Sequence, residues 1–113
     1  MEKKNPELIK LIKNLSEKEE EIWKDVAERL SKTRKNMAEV NVEKINRFAK
    51  NGEDIIVPGK VLGYGKLEKK VRVAAFKFSK EAKRQIESSG GKCLKIEEFI
   101  ESNPKGSKAK LLG

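Results

Sequence analysis

The stretch Val71-Arg72-Val73-Ala74-Ala75-Phe76-Lys77-Phe78-Ser79 decides the fold class of this 113-residue chain. Its alternating β-branched and small apolar residues predict a strand that begins near Lys70. Ser79 is a preferred helix N-cap, so we expect a helix to follow at once, and Gly90-Gly91 to end it. A strand that leads directly into a capped helix is typical of an α/β protein.

Short strands and helices alternate on both sides of this stretch. Cys93-Leu94 predicts a brief strand, which a short last helix follows. Upstream, a short strand ends near Asn41, which is suited to cap a helix over residues 42–50. The positions that we expect to face inward from these helices are Ile45, Phe48, Ala49, Ala82, Ile86, Ile96, Phe99 and Ile100.

The segment before the deciding stretch is rich in turn residues. Ile55-Ile56-Val57 predicts a buried strand, after which Pro58-Gly59 is expected to turn the chain. Val61-Leu62 follows, and Gly63-Tyr64-Gly65 predicts a second turn. Asn103-Pro104-Lys105-Gly106 predicts another turn near the end.

The N-terminal part predicts two helices. Asn5 is a good N-cap and Pro6 suits the first helical position. Ser16-Glu17-Lys18-Glu19 reads as a capping box, which predicts that the second helix starts there, and Trp23 is expected to anchor its buried face. The apolar stripes of the two helices comprise Leu8, Ile9, Leu11, Ile12, Leu15, Ile22, Trp23, Val26, Ala27 and Leu30.

A faint internal repeat supports the α/β interpretation. Residues 40–45 match residues 94–99 in type at nearly every position. Repeated strand–helix units suit either an irregular superhelix or a parallel sheet. The length predicts one domain over 1–113, divided into N-terminal helices with a basic loop (1–36), a strand and helix core (37–104) and a basic tail (105–113).

The charge of the chain indicates a polyanionic partner. The net charge is +9, from 27 basic and 18 acidic side chains, and nucleic acid is the commonest such partner, with an anionic membrane surface as the alternative. The excess lies in 33–51 and 68–92, which favours a binding face, whereas 1–32 carries no net charge and favours packing against protein. No apolar run is long enough to span a bilayer, so we expect a cytosolic protein.

The sequence lacks the residue types that catalysis and metal binding usually need. It has no histidine, the usual general base for a serine or cysteine nucleophile. Cys93 is the only cysteine, and one thiol without histidine is too little for a zinc site. We therefore expect no catalytic residue, no metal and no cofactor.

The glycine-rich stretch 59–65 is the candidate for a phosphate-binding loop. It lacks the Walker pattern, because Leu67 follows Gly65-Lys66, and Glu68 stands where a dinucleotide fingerprint needs its third glycine. Glycines still let backbone amides approach phosphate, and Lys60 supplies charge beside them. The alternative is that these glycines only form two tight turns.

Tyr64 lies at the tip of this stretch, where an aromatic ring is suited to stacking on an unpaired base.

Several segments, in matching order from Asn5 to the end, resemble a known family. They are 23–30 (WKDVAERL), 38–42 (AEVNV), 57–65 (VPGKVLGYG), 73–79 (VAAFKFS), Gly90-Gly91 and Asn103-Pro104-Lys105-Gly106. Together they resemble the archaeal and eukaryotic large-subunit ribosomal protein eighteen, a family related to the C-terminal domain of bacterial large-subunit protein fifteen. The short form, without long extensions, favours the archaeal type.

The resemblance implies a domain of short strands and helices in an irregular superhelix, preceded by an N-terminal helix pair. It implies a structural constituent of the large ribosomal subunit, which contacts large-subunit rRNA and neighbouring ribosomal proteins in the cytoplasm. We expect a monomer outside the ribosome, with no membrane association. Thr33-Arg34-Lys35-Asn36-Met37 is less arginine-rich than is usual in the family, so this contact is expected to be lighter.

The basic segments and the glycine-rich stretch together give the expected RNA contacts. They are Arg34, Lys35, Asn36, Lys60, Tyr64, Lys66, Lys69, Lys70, Arg72, Lys105, Lys108 and Lys110. The alternative function is a free-standing regulator that binds RNA or DNA, although no helix-turn-helix or dimer signature supports it.

Overall fold

A computed structural model describes residues 5–32 and 37–113. The helices in this part of the chain are α1 (Pro6–Ser16), α2 (Glu21–Leu30), α3 (Val42–Phe48), α4 (Lys80–Ser88) and α5 (Ile96–Ser102). The strands are β1 (Ala38–Asn41), β2 (Asp54–Leu62), β3 (Arg72–Phe78), β4 (Lys92–Lys95) and β5 (Lys110–Leu111). The predicted α/β class and the N-terminal helix pair are confirmed.

The strands form one parallel sheet. Its order is β1-β2-β3-β4, and β5 also pairs with β2. β5 and β1 share one edge of β2, because β5 pairs with Ile55 and Ile56 whereas β1 pairs with residues 59–62. Of the two arrangements that the sequence leaves open, the structure has the parallel sheet.

Pro58 lies inside β2, so the prediction that Pro58-Gly59 turns the chain is wrong. Proline has no backbone N–H to donate and is tolerated in a strand only where the ladder does not need one. Pairing with β5 stops at Ile56, pairing with β1 begins at Gly59, and the register with β3 shifts between Val57 and Lys60. The missing donor therefore falls in a gap of both ladders, and the strand continues through a bulge.

Helices cover both faces of the sheet. Val42 and Ile45 of α3 and Ala82 and Ile86 of α4 pack on one face. The other face is covered by α1, α2 and α5, whose buried side chains enclose Ile56 and Ala74. A parallel sheet needs this cover, since its strands expose apolar side chains on both sides.

The cap at Asn5 is confirmed, whereas the capping box at Ser16 is wrong. The Oδ1 of Asn5 accepts a hydrogen bond from the Glu7 N–H at 2.8 Å. Ser16 instead ends α1, and its Oγ donates to the Lys13 carbonyl. The second helix begins at Glu21, without a side-chain cap, and Trp23 is fully buried as expected.

Two residues of the predicted apolar stripes are exposed. The relative exposure of Ile9 is 51% and that of Phe48 is 49%. Each lies at the edge of its stripe, where the helical period alone does not decide between core and solvent.

The other helix signals are confirmed. Ser79 caps α4, because its Oγ accepts from the Ala82 N–H at 3.1 Å, and Gly90 follows the helix with φ +84°. The repeat also has a structural counterpart, since β1–α3 and β4–α5 are both strand–helix units. Their helices lie on opposite faces of the sheet, however.

Residues 105–113 contain a strand in addition to basic side chains. The pairing of β5 with β2 continues through the Leu112 N–H, which donates to the Ile56 carbonyl at 3.0 Å. Leu112 is itself buried against the sheet. A two-residue strand is too short for a period-two pattern to reveal.

Candidate nucleic-acid interface

The chain returns from the end of β2 to the start of β3 through residues 63–71, which contain no helix. We call this segment the crossover. Gln85 of α4 holds its first half, because the Nε2 group donates to the carbonyls of Gly63 and Gly65 at 2.9 and 2.8 Å. The Oε1 atom of the same side chain accepts from the Leu67 N–H at 3.0 Å.

The second half of the crossover is held by two asparagines. The Oδ1 of Asn46 accepts from the Glu68 N–H at 3.0 Å, and the Oδ1 of Asn51 accepts from the Lys70 N–H at 2.8 Å. The backbone amides of Leu67, Glu68 and Lys70 are therefore engaged within the protein, and a phosphate would have to displace these bonds to use them.

The glycines of the crossover are required by close packing. An added Cβ at Gly63 would lie 2.5 Å from Cγ of Glu81 and 2.7 Å from the Ala82 nitrogen. At Gly65, where φ is +90°, it would lie 2.4 Å from Cβ of Glu43. The structure therefore favours the alternative interpretation of these glycines, as turn residues beside α3 and α4.

Several exposed side chains lie on the crossover. Tyr64 is 67% exposed, and its carbonyl accepts a hydrogen bond from the Glu43 N–H. Lys66 and Lys70 are exposed, and within the described residues their ammonium groups have no partner. Tyr64, Lys66 and Lys70 form what we call the crossover surface.

Arg72 is occupied by an internal ion pair. Its Nε and Nη2 atoms donate to the two carboxylate oxygens of Asp54, both at 2.8 Å. The guanidinium also lies 5.6 Å from the ring centroid of Phe99. The Asp54 carboxylate raises the pKa of Arg72. This bidentate ion pair joins the start of β2 to the start of β3. It also occupies two guanidinium nitrogens, so fewer donors remain for RNA than the sequence suggests.

Lys69 and Lys110 are occupied at the end of α3. The Nζ of Lys69 donates to the Ala49 carbonyl and the Nζ of Lys110 to the Phe48 carbonyl, both at 2.6 Å. Cations are favourable at the carboxyl end of a helix, where carbonyls lack helical partners. Lys110 also pairs with Glu53 at 3.4 Å. The Lys50 N–H and then Lys110 lower the pKa of Glu53.

The remaining expected contacts are scattered. Lys60 is half-buried in β2, between Glu39 of β1 and Lys77 of β3 in register. Lys105 and Lys108 are exposed on the turn before β5. This turn is held on α2, because the Nε1 of Trp23 donates to the Pro104 carbonyl at 2.6 Å. Arg34, Lys35 and Asn36 lie outside the described residues.

The layer of α1, α2 and α5 has an acidic groove. It has a volume of about 680 Å³ and an apolar floor that includes Leu11, Leu15 and Ile100. The charged side chains that line it are Glu17, Lys18, Glu19, Glu20, Glu97 and Glu101. The crossover surface, in contrast, is mixed in charge, because Glu43 and Glu68 are exposed beside its two lysines.

Within residues 5–32 and 37–113, no cluster of acidic, cysteine or histidine side chains is arranged to hold a metal ion. No helix in the same ranges is long and apolar enough to cross a membrane. Burial raises the pKa of the Cys93 thiol to about 11.

The sequence analysis did not single out the side chains that hold the crossover, Asn46, Asn51 and Gln85. A surface amide has no distinctive pattern, so no sequence signal would have found them. It also did not group Lys10, Lys77, Lys83 and Lys95, which line one groove at the carboxyl ends of β3 and β4. That grouping needs the strand order, which the sequence does not specify.

Comparison with known proteins finds full-length similarity. The sequence profile of the family described as "Ribosomal protein 60S L18 and 50S L18e" matches residues 3–113. The large ribosomal subunit protein eL18 of Methanospirillum hungatei is 54% identical, over 98% of this chain and 95% of that protein. The protein of the same name from Archaeoglobus fulgidus is 50% identical, over 99% of both chains. That from Methanococcus maripaludis is 54% identical, over 96% and 92%.

Proposed function

Because this chain belongs to the family of ribosomal proteins 60S L18 and 50S L18e, we propose that it is a structural constituent of the cytoplasmic large ribosomal subunit that binds large-subunit rRNA. The observation that carries this proposal is the similarity over nearly the whole length to proteins named for the large subunit. The net charge of +9 supports a polyanionic partner.

The crossover surface is the part of the fold that we assign to RNA. Its aromatic ring, that of Tyr64, is exposed although burial would be favourable, which suits stacking on an unpaired base. Lys66 and Lys70, whose ammonium groups have no partner among the described residues, supply charges beside it for phosphates. Lys69 and Lys110 act on this surface indirectly, because they hold the end of α3, and Arg72 fixes the starts of β2 and β3.

Sedimentation tests the proposed function. We expect the tagged protein, expressed in its source cells, to travel with large subunits in a sucrose gradient at moderate salt. A protein that stays in the light fractions, and binds no large-subunit rRNA fragment at low salt, would instead support a free-standing regulator.

We expect the double variant Lys66→Ala/Lys70→Ala to bind large-subunit rRNA fragments about tenfold more weakly than the wild type. Each lost phosphate contact also reduces the salt dependence of the affinity, which titrations at several salt concentrations measure. Tyr64→Ala should weaken binding by about 1–3 kcal/mol without changing the salt dependence, since it removes only stacking.

The matched control is Lys13→Ala/Lys24→Ala, which removes two exposed charges from α1 and α2. Equal loss of affinity in both double variants would show that the crossover surface has no special role.

We further propose that the free chain is one cooperative domain and a monomer without enzymatic activity. Both faces of the sheet are covered by helices of the same chain, which supports a self-sufficient core. The raised pKa of Cys93 keeps its thiol protonated, and the Ser79 hydroxyl serves as a helix cap, so neither is an activated nucleophile. Sedimentation velocity and a single unfolding transition test the monomer and the domain.

A further inference from the structure

The chain leaves β3 and β4 toward opposite faces of the sheet. β3 leads into α4, which packs on the same face as α3, whereas β4 leads into α5, which packs with α1 and α2. β3 and β4 are hydrogen-bonded neighbours. In open α/β sheets such a divergence opens a crevice at the carboxyl ends of the strands, and ligands bind there.

The structure has a groove of about 600 Å³ at this place, lined by the end of β3, the end of β4, α1 and α4. We call it the switch crevice. Its volume lies within the range of about 300–1,000 Å³ that is usual for ligand sites.

Four lysines, each from a different element, line the switch crevice. They are Lys10 of α1, Lys77 of β3, Lys83 of α4 and Lys95 of β4. Glu7 and Glu97 also line it, so the cations exceed the carboxylates by two. None of these six side chains forms an ion pair within the described residues. A groove lined by more cations than carboxylates favours the binding of an anion.

The wall of the crevice is aromatic as well as basic. Phe76 and Phe78 line it and are half-buried. The Nζ of Lys77 lies 5.4 Å from the ring centroid of Phe76, so a cation and a ring face are adjacent. A nucleotide combines a phosphate, which suits the lysines, with an aromatic base, which suits the rings. Grooves that are both basic and aromatic are typical of sites for single-stranded nucleic acid.

We propose that the switch crevice binds an unpaired nucleotide of an RNA strand, with its phosphates against the lysines and its base or sugar against Phe76 and Phe78. An unpaired nucleotide fits better than a duplex, because a paired base would have to be unpaired and unstacked, at a cost in free energy, before it could enter a crevice. The inference rests on the proposed rRNA binding, but it concerns a set of residues separate from the crossover surface.

The test measures binding of a fluorescein-labelled uridine decamer by anisotropy over a series of salt concentrations. Lys77→Ala/Lys95→Ala is compared with the wild type and with Lys13→Ala/Lys24→Ala, which has the same total charge. We expect the crevice variant to bind about tenfold more weakly than this control. The slope of log affinity against log salt should fall by about 1.4, since each phosphate on a single strand contributes about 0.7.

Further measurements separate the possible ligands. Phe76→Leu should weaken binding of the decamer while leaving the salt slope unchanged, because it removes the ring and keeps apolar volume. A duplex of the same length should not distinguish the crevice variant from the control. Uridine monophosphate and inorganic phosphate are tested as competitors of the labelled decamer. If either displaces it as effectively as unlabelled decamer at the same phosphate concentration, the crevice is a site for a free anion, and the RNA proposal is overturned.

Equal decamer affinity and salt slope in the crevice variant and the control would also overturn it. That result leaves the proposed function intact if the wild type still binds large-subunit rRNA and sediments with the subunit. If the wild type neither binds large-subunit rRNA nor sediments with the large subunit, the proposed function itself is overturned.

Discussion

The variant Trp23→Ala is expected to lower the free energy of unfolding by about 4 kcal/mol, within the range for removal of a fully buried aromatic side chain. Trp23 has no exposed surface, and its ring meets the Phe99 ring edge-on at a centroid distance of 6.1 Å. Its Nε1 also donates to the Pro104 carbonyl. A domain of this size has a total stability of about 5–15 kcal/mol, so much of it would be lost.

Urea denaturation followed by circular dichroism measures this loss. Trp23→Phe is the matched control, because it keeps an aromatic ring and removes the hydrogen bond to Pro104, and we expect it to cost about 1–3 kcal/mol. If Trp23→Ala costs less than Trp23→Phe, the side chain is not the anchor of this layer. The loss should extend to β5, since the turn at Pro104 leads into that strand.

Gly59→Ala should destabilise the sheet strongly. An added Cβ would lie 2.1 Å from the carbonyl oxygen of Ala38 and 2.9 Å from its carbonyl carbon. Both are backbone atoms, so the clash can be relieved only if β1 moves away from β2. We expect a loss of about 3 kcal/mol in unfolding free energy, the upper part of the usual range for overpacking.

Gly52→Ala provides the contrast. Gly52 has φ +87°, and an added Cβ there has no atom within 4 Å. Its cost should be about 1–2 kcal/mol, from the left-handed backbone alone. Hydrogen exchange should show faster exchange of β1 amides in Gly59→Ala and not in Gly52→Ala. Equal stability of the two variants would contradict the close approach of β1 and β2.

Signals that act within a few residues were sufficient to predict the helix ends at Asn5, Ser79 and Gly90. Ser16 misled the prediction because a serine followed by Glu19 satisfies the capping-box pattern, while the same hydroxyl can bond backward to Lys13 in the last turn of a helix. A local pattern does not reveal which of these two bonds is made.

Pro58 misled the prediction for a different reason. A proline before glycine usually marks a turn. Here its missing N–H is tolerated because two different strands share one edge of β2 and leave a gap at that residue. One of those strands, β5, is more than 50 residues away along the chain, so no local pattern could have indicated it.

The sequence identified a basic chain and one loop that is both basic and aromatic. It did not show which of the cationic side chains are free to bind RNA. Lys69, Arg72 and Lys110 each meet a carbonyl or carboxylate from another element. Lys77 and Lys95, which were not selected, lie together because β3 and β4 are neighbours. Charge can be counted from the sequence, whereas its pairing depends on tertiary contacts.

The acidic groove between α1, the loop that follows it, and α5 has a consequence for how the molecule approaches its partner. The carboxylates of this groove repel a polyanion and the lysines of the crossover surface attract it, so the approach of a polyanion depends on the orientation of the protein. The field of a polyanion turns such a molecule while it is still within about a Debye length, so that the lysine-rich side arrives first. We therefore expect added salt to slow productive encounters by weakening this alignment, in addition to weakening the bound state.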